Sequence, residues 1–238
     1  MAQTTSGLVS TRNGIKTCDL SQVFATSGAD GMELYALPTW HPVRWIFIKR
    51  ALLLIDLFQR IPRPESLMEM GFGCGILVPE LVSKTDRYVG IDIHSHTGEI
   101  EEALSQQIGL VDLRYGDANN LEFDDNSLDC IFSMSVMEHI AEIEGAVENV
   151  ARVLKPGGHF IVGFPIENFV SNAFLDMIKL MIGFDRKVHH PTNHHQILAA
   201  LGLHLEPFHE RPFPFSGSVA FSLYYTGIWR KPENYGCA

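Results

Sequence analysis

"LMEMGFGCGILVPEL", residues 67–81, sets three glycines within five positions directly behind an apolar run. An apolar run that ends in glycines reads as a buried strand turning sharply into the next element. Glycine at such a turn means that the backbone adopts a left-handed conformation, or that something approaches it closely. The second possibility makes a question about the fold into one about a ligand.

The text on either side alternates in the same manner. "SLMEMG" reads as a strand and "GILVPELVSK" as a helix opened by glycine. "RYVGIDI" is a second strand, and "GEIEEALSQQI" a helix with acidic residues in its first turn. "LVDLRYG" and "LDCIFSMS" give the third and fourth strands. "AEIEGAVENVARVL" is a helix closed by "KPGG", and "HFIVGFP" is the fifth strand. Helices are expected at 171–182 and at 193–201, with Thr192 capping the second and Gly202 ending it. The tail adds two strands around a proline-rich turn. Strands alternating with helices of this length imply βαβ units and a mostly parallel sheet.

Ahead of the glycine turn, residues 19–60 read as helical, with a face formed by Val43, Ile46, Phe47, Ala51, Leu54 and Phe58. Pro62 and Pro64 mark a boundary, and residues 1–20, rich in Ser, Thr and Gly, are expected to be poorly ordered unless a ligand pins them. The organisation expected is an N-terminal segment and helical lid over 1–60, then a single ligand-binding domain over 61–238.

Composition narrows the class of partner. The chain has 238 residues, 46% hydrophobic and 19% charged, which suits one globular α/β domain. A net charge of -10 without a Lys/Arg run argues against neutralising the phosphates of a nucleic acid. Cys18, Cys74, Cys130 and Cys237 form no CxxC pair, so neither a disulfide framework nor a cysteine metal site is expected. "WIFIKRALLLIDLF", residues 45–58, is too short and too charged to span a bilayer, and no signal peptide is expected at the start. A cytoplasmic protein with no nucleic-acid partner and no membrane span is expected.

Two ligand classes use a glycine turn at the end of a first strand. The dinucleotide fingerprint G-x-G-x-x-G/A fails here, because Ile76 takes the sixth position. What stands is Glu69-x-Gly71-x-Gly73-x-Gly75, followed by "YVGIDIH", "YGDANNLEF", "DNSLDCIFSMSVMEHI" and "ARVLKPGGHFIVGFP". Over roughly residues 65–165 this series resembles the class I S-adenosylmethionine-dependent methyltransferases, in particular the methyltransferase type 11 group.

The resemblance implies a Rossmann-like, seven-stranded, mostly parallel sheet with helices on both faces and an antiparallel edge strand. It implies S-adenosyl-L-methionine as cofactor and a small organic acceptor. Asp92 then stands where the family's carboxylate takes both ribose hydroxyls, two acceptor oxygens suiting two donors. Asp117 stands where the family's aspartate meets the adenine amino group, with the Ala118 amide toward the ring. Carried over in the same way, the cofactor site comprises Glu69, Gly71, Phe72, Gly73, Gly75, Asp92, Ile93, Asp117, Ala118 and Ser133, with Arg44 as a partner for the donor's carboxylate. Two rival readings are a nucleotide-dependent oxidoreductase, which lacks a Tyr-x-x-x-Lys pair here, and a non-catalytic module that only binds the cofactor.

Methyl transfer from a sulfonium needs alignment, exclusion of water and, for some acceptors, removal of a proton. His139, beside Glu138 after the fourth strand, and His190 are the candidate bases. The alternative for His139 is that it only positions its loop. His189, His190, His194 and His195 crowd into "VHHPTNHHQIL". His190 and His194 have the spacing of a helical metal pair, but Pro191 interrupts it and the run supplies no carboxylate or cysteine, so no metal is expected. Segments 35–45, with Tyr35 and Trp40, and 166–195 are candidates for the lid and walls of an apolar acceptor pocket. Ordinary core packing explains their Trp, Phe, Met and Ile equally well.

Overall fold

The computed structural model describes residues 8–10, 16–18, 42–182, 190–214 and 218–234. Short strands β1 (Leu8–Ser10) and β2 (Lys16–Cys18) pair antiparallel. Helix α1 (Pro42–Phe58) leads to β3 (Ser66–Met70), the short helix α2 (Val78–Val82), β4 (Arg87–Asp92), α3 (Thr97–Ile108) and β5 (Leu113–Tyr115). Then come β6 (Leu128–Met134), α4 (Ile143–Val153), β7 (Leu154–Pro165), α5 (Phe169–Ile182), α6 (His194–His204), β8 (Glu206–Glu210) and β9 (Tyr224–Arg230). Seven of the strands form one sheet in the order β5-β4-β3-β6-β7-β9-β8. β3, β4 and β5 run parallel, whereas β9 runs antiparallel to both β7 and β8 at one side of the sheet. Winding goes outward from β3 to β5 and then returns to β6 on the other side of β3. That reversal is where open α/β sheets bind ligands.

The chain divides into two compact units, residues 1–117 with 128–132, and residues 118–127 with 133–238. In the first, all five residues of β3 are buried, as expected of a strand covered on both faces. Ala51, Leu54 and Phe58 of α1 are buried, and so are Leu53, Ile55 and Leu57, a broader stripe than the spacing suggests. The Phe58 ring stands edge-on to Phe132, centroids 6.2 Å apart. The helix after the glycine turn starts only at Val78. Pro79, with no N–H to donate, fits the first helical turn and fixes the start there.

Within residues 1–20, the described stretches 8–10 and 16–18 are ordered, and the others lie outside the described residues. There β1 and β2 make a ladder, the Lys16 amide donates to Glu80 Oε2 at 2.9 Å, and Cys18 is buried against Phe72, Cys74, Ile100 and Leu104. A small apolar residue inserted in that cluster gives the segment a reason for order that its Ser/Thr/Gly composition does not advertise. Residues 19–41, on which part of the expected lid falls, lie outside the described residues.

In the second unit α4 turns Ala146, Val147, Val150 and Ala151 inward, all fully buried. The sequence reads "KPGG" as a closing turn, yet β7 runs through it. The tail supplies the partners: the Gly157 amide donates to Lys231 O, and the Lys231 amide to Gly158 O, both at 2.9 Å. α6 is capped by Asn193 rather than Thr192. Its side chain accepts from the His195 and Gln196 amides while Gln196 Oε1 accepts from the Asn193 amide, and the helix continues past Gly202 to His204. Among the described residues, no helix is long and apolar enough to cross a membrane.

Candidate functional site

The turn after β3 and the end of β4 build one cradle inside the first unit. Parallel register sets Met70 beside Ile91, so the residue after each strand emerges at the same end of the sheet. Gly71, Gly73 and Gly75 all have positive φ, at 78°, 54° and 77°. Two of them do different things. A Cβ on Gly75 would stand 2.7 Å from Leu104 Cδ1 and 3.1 Å from Ile100 Cγ2, so this glycine lets α3 pack against the turn. A Cβ on Gly73 would meet nothing within 4 Å among the described residues. Its amide instead donates to Asp92 Oδ2 at 2.8 Å.

Asp92, the last residue of β4, also accepts from the Ile93 amide through Oδ1 at 2.7 Å. Oδ1 also accepts from the His94 amide at 3.4 Å, so it has two backbone donors, whereas Oδ2 has one and keeps acceptor capacity for another. His94 closes the cradle from behind: its Nε2 donates to Gly73 O at 2.8 Å, its Nδ1 accepts from the His96 amide at 3.2 Å, and its ring meets Phe72 edge-on at 5.0 Å. Ile93, next to the carboxylate, is 67% exposed, an apolar side chain held in the open.

Beneath the turn, Glu69 is buried in β3 and accepts a short hydrogen bond from the Tyr88 hydroxyl. Burial pushes its carboxyl up to about 8, the Tyr88 bond opposes that rise, and the negative charge of Asp92 adds to it. Glu69 is therefore largely protonated near neutrality, and the Tyr88 hydroxyl is pushed up by the same burial and by Glu69.

The cradle thus gathers Glu69, Gly71, Phe72, Gly73, Gly75, Asp92 and Ile93. Asp117, exposed two residues past β5, belongs to the same unit. Ala118 and Ser133 belong to the second unit, both buried. Ser133 Oγ has no hydrogen-bond partner among the described residues. Arg44 lies in α1 with its side chain outside the described set, as do Tyr35, Trp40 and His189 altogether. Trp45, by contrast, is exposed.

The second unit assembles a different cluster. Glu138 and His139, in a 3-10 turn at Met137–His139, meet His190, and one ligand atom from each lies within 4.8 Å of the others. The two imidazoles stand edge-to-face with centroids 5.1 Å apart. His190 Nδ1 is 2.7 Å from Glu167 Oε1. Thr192 ties the segment to the 3-10 turn by donating from Oγ1 to Ile140 O at 2.5 Å and from its amide to Glu138 O at 3.4 Å. His194 is buried, its Nδ1 without a hydrogen-bond partner among the described residues and its ring 4.0 Å from that of His195. Burial, with His195 alongside, lowers the pKa of His194. The carboxylate missing from the histidine run is brought by the fold from residue 138.

Sequence reasoning did not single out Tyr88, His94 or Glu167. Tyr88 and Gly90 are two apart and share a strand face, the one local hint that Tyr88 reaches the same neighbours as the turn. For Glu167 and His190, 23 residues apart, the sequence offers no such hint.

Residues 68–162 match a protein family described as "Methyltransferase domain". A 106-residue stretch is 32% identical to the sterol 24-C-methyltransferase erg6 of Aspergillus fumigatus, covering 40% of this chain and 27% of the relative. The ubiquinone biosynthesis O-methyltransferase of Bartonella bacilliformis is 28% identical over 127 residues, 51% of each chain. The chain thus spans about half or less of the length of these curated relatives. Among solved structures, the N-methyltransferase NodS of Bradyrhizobium japonicum WM9, in complex with S-adenosyl-l-homocysteine, is similar in fold. Its TM-score is 0.60 at 16% identity, over 78% of this chain and 87% of that one.

Proposed function

We propose that the protein transfers a methyl group from S-adenosylmethionine to a small organic acceptor, a reading supported by the match of residues 68–162 to the family described as "Methyltransferase domain". One observation carries the reading: a carboxylate, Asp92, held by the Gly73 and Ile93 amides beside a glycine turn whose Gly73 has no Cβ neighbour within 4 Å among the described residues. A hydroxyl pair such as a ribose diol suits such a carboxylate, a charged acceptor whose Oδ2 carries a single backbone donor. Ile93 offers apolar surface to a base and Asp117 an acceptor for its amino group, and Arg44 is assigned to the donor's carboxylate.

The bound donor supplies an activated methyl on a sulfonium. The protein's own share is positioning: the turn excludes water and holds the donor, and the acceptor atom is kept in line with the methyl. As the acceptor–carbon bond forms, the carbon–sulfur bond breaks and its electron pair stays on sulfur. His139 and His190 are assigned to the acceptor's proton. The acceptor is small, with an apolar body, walled by segments 35–45 and 166–195. The organisation proposed is an N-terminal segment and helical lid over 1–60 with the methyltransferase domain over 61–238, acting in the cytoplasm. Three buried free cysteines, Cys18, Cys74 and Cys130, support a reducing compartment.

Calorimetric titration tests this reading. S-adenosylhomocysteine is expected to bind with one site per chain and NADH not to bind. Binding of NADH without S-adenosylhomocysteine would overturn it in favour of an oxidoreductase.

A further inference from the structure

We infer that Glu138, His139 and His190 form a binding site for a divalent transition-metal cation, with Zn2+ the best fit. Two imidazoles and one carboxylate are a donor set that zinc and its neighbours prefer, and one too rich in nitrogen for magnesium or calcium. Their ligand atoms already lie within 4.8 Å of one another. Bonds of about 2.0–2.1 Å at tetrahedral angles need separations of roughly 3.3 Å, within reach of small side-chain rotations. The three come from places 52 residues apart in the chain, so their convergence is not a by-product of local sequence.

The surroundings are those of a prepared ligand set. Glu167 Oε1, 2.7 Å from His190 Nδ1, holds the proton on that nitrogen and leaves the lone pair on Nε2. A carboxylate behind an imidazole is the arrangement that orients a metal-bound histidine and raises its basicity. Thr192 clamps the His190 segment to the turn carrying Glu138 and His139, and the capping box at Asn193 anchors that segment to α6. Glu138 is 3% exposed, so its carboxylate faces the cluster rather than bulk water. The buried imidazole next in line, His194, is held toward its neutral form, adding no competing positive charge.

Three protein ligands leave a zinc ion one open position. An oxygen-bearing molecule bound there loses its hydroxyl proton to solvent more readily, because the cation stabilises the oxyanion. This deepens the methyl-transfer reading, on which only this last step rests: the two histidines would serve the acceptor's proton through the metal rather than by taking it themselves.

The test uses the full chain after dialysis against chelator, titrated calorimetrically with ZnCl2, MnCl2 and MgCl2. The expected result is one Zn2+ per chain, weaker Mn2+ and no measurable Mg2+. Glu138→Gln and His190→Ala should each weaken Zn2+ at least about tenfold, and Glu167→Gln about 10–100-fold. His204→Ala, outside the cluster, should bind as wild type. Circular dichroism melts guard against unfolded variants, and Zn2+ should raise the melting temperature of wild type but not of His190→Ala. Co2+ substitution should give visible d–d bands without a thiolate charge-transfer band, which excludes the cysteines. Zn2+ binding unaffected by Glu138→Gln and His190→Ala, or carried by thiolate, overturns the site. Parallel titration with S-adenosylhomocysteine separates the two readings. Its binding without Zn2+ sinks the metal site alone, and Zn2+ binding without it sinks methyl transfer alone.

Discussion

The cradle at the ends of β3 and β4 and the cluster around Glu138, His139 and His190 each gather polar groups at one place, by opposite means. In the cradle the contacts are backbone to side chain: the Gly73 and Ile93 amides on Asp92, and Gly73 O on His94. Its members lie within 26 residues, and parallel register alone brings them side by side. In the cluster the contacts run between side chains, His139 on His190 and His190 on Glu167, clamped by one threonine. The difference teaches which kind of site strand order delivers for nothing extra, and which kind needs two loops to find each other. Backbone donors at a strand end come with the fold. Clustered imidazoles have to be brought there by loop closure.

The largest expected effect tests the division of labour between the two cradle glycines. Gly75→Val should destabilise the fold by about 2–6 kcal/mol, left-handed strain of about 1–3 added to overpacking of about 1–3 against Leu104 and Ile100. Gly73→Val carries the strain without the clash, so it should cost only about 1–3 kcal/mol of stability while abolishing binding of S-adenosylhomocysteine. Urea denaturation and calorimetry on the two variants would break the distinction if they behaved alike.

Asp92→Ala should weaken S-adenosylhomocysteine by about 1–3 kcal/mol, the cost of hydroxyls left without a charged acceptor. Unchanged affinity in a folded variant would detach the carboxylate from the ligand. Glu69 sharpens the comparison through pH. Its carboxyl is raised from 4.5 to about 8, so the folded state holds the proton more tightly than the unfolded one. Its stabilisation is then complete below 4.5 and is lost as pH rises toward 8, with a slope of up to about 1.4 kcal/mol per pH unit. Glu69→Gln, which keeps a neutral side chain, should flatten stability across that window in denaturant titrations. A slope identical to wild type would place the titration elsewhere.

The smallest effect falls on the cluster. Asn193→Ala removes the side-chain half of the capping box, the two bonds to Asn193 Oδ1, and should cost about 1 kcal/mol of stability by thermal melting. It should also weaken Zn2+ modestly, because the His190 segment loses an anchor while its ligands remain. A loss of Zn2+ as large as that of His190→Ala would mean that the anchoring, not the ligand set, governs the site.

Much of the cradle was legible in the sequence because its causes are local. An apolar pentad, glycines at alternate positions and an aspartate closing the next strand each state a backbone requirement in a few residues. The central strand β3 followed from its unbroken apolar run, since a strand buried on both faces must be apolar throughout, whereas β5 and β8, mostly exposed, were marked only by their place in the alternation. Tertiary structure decided what depends on partners far along the chain. It set the burial of Cys18 and the Lys16 bond to Glu80, the extension of β7 through "KPGG" by the tail, and the use of Asn193 rather than Thr192 as cap. It decided the protonation of Glu69, since a carboxyl's charge depends on the water it loses and on Tyr88, 19 residues away. It alone joined Glu138 and His139 to His190. A histidine run records its composition in the sequence, but which carboxylate it meets is set by how two loops close on each other. That closure is written in packing and hydrogen bonds spread over the whole second unit, not in the run itself.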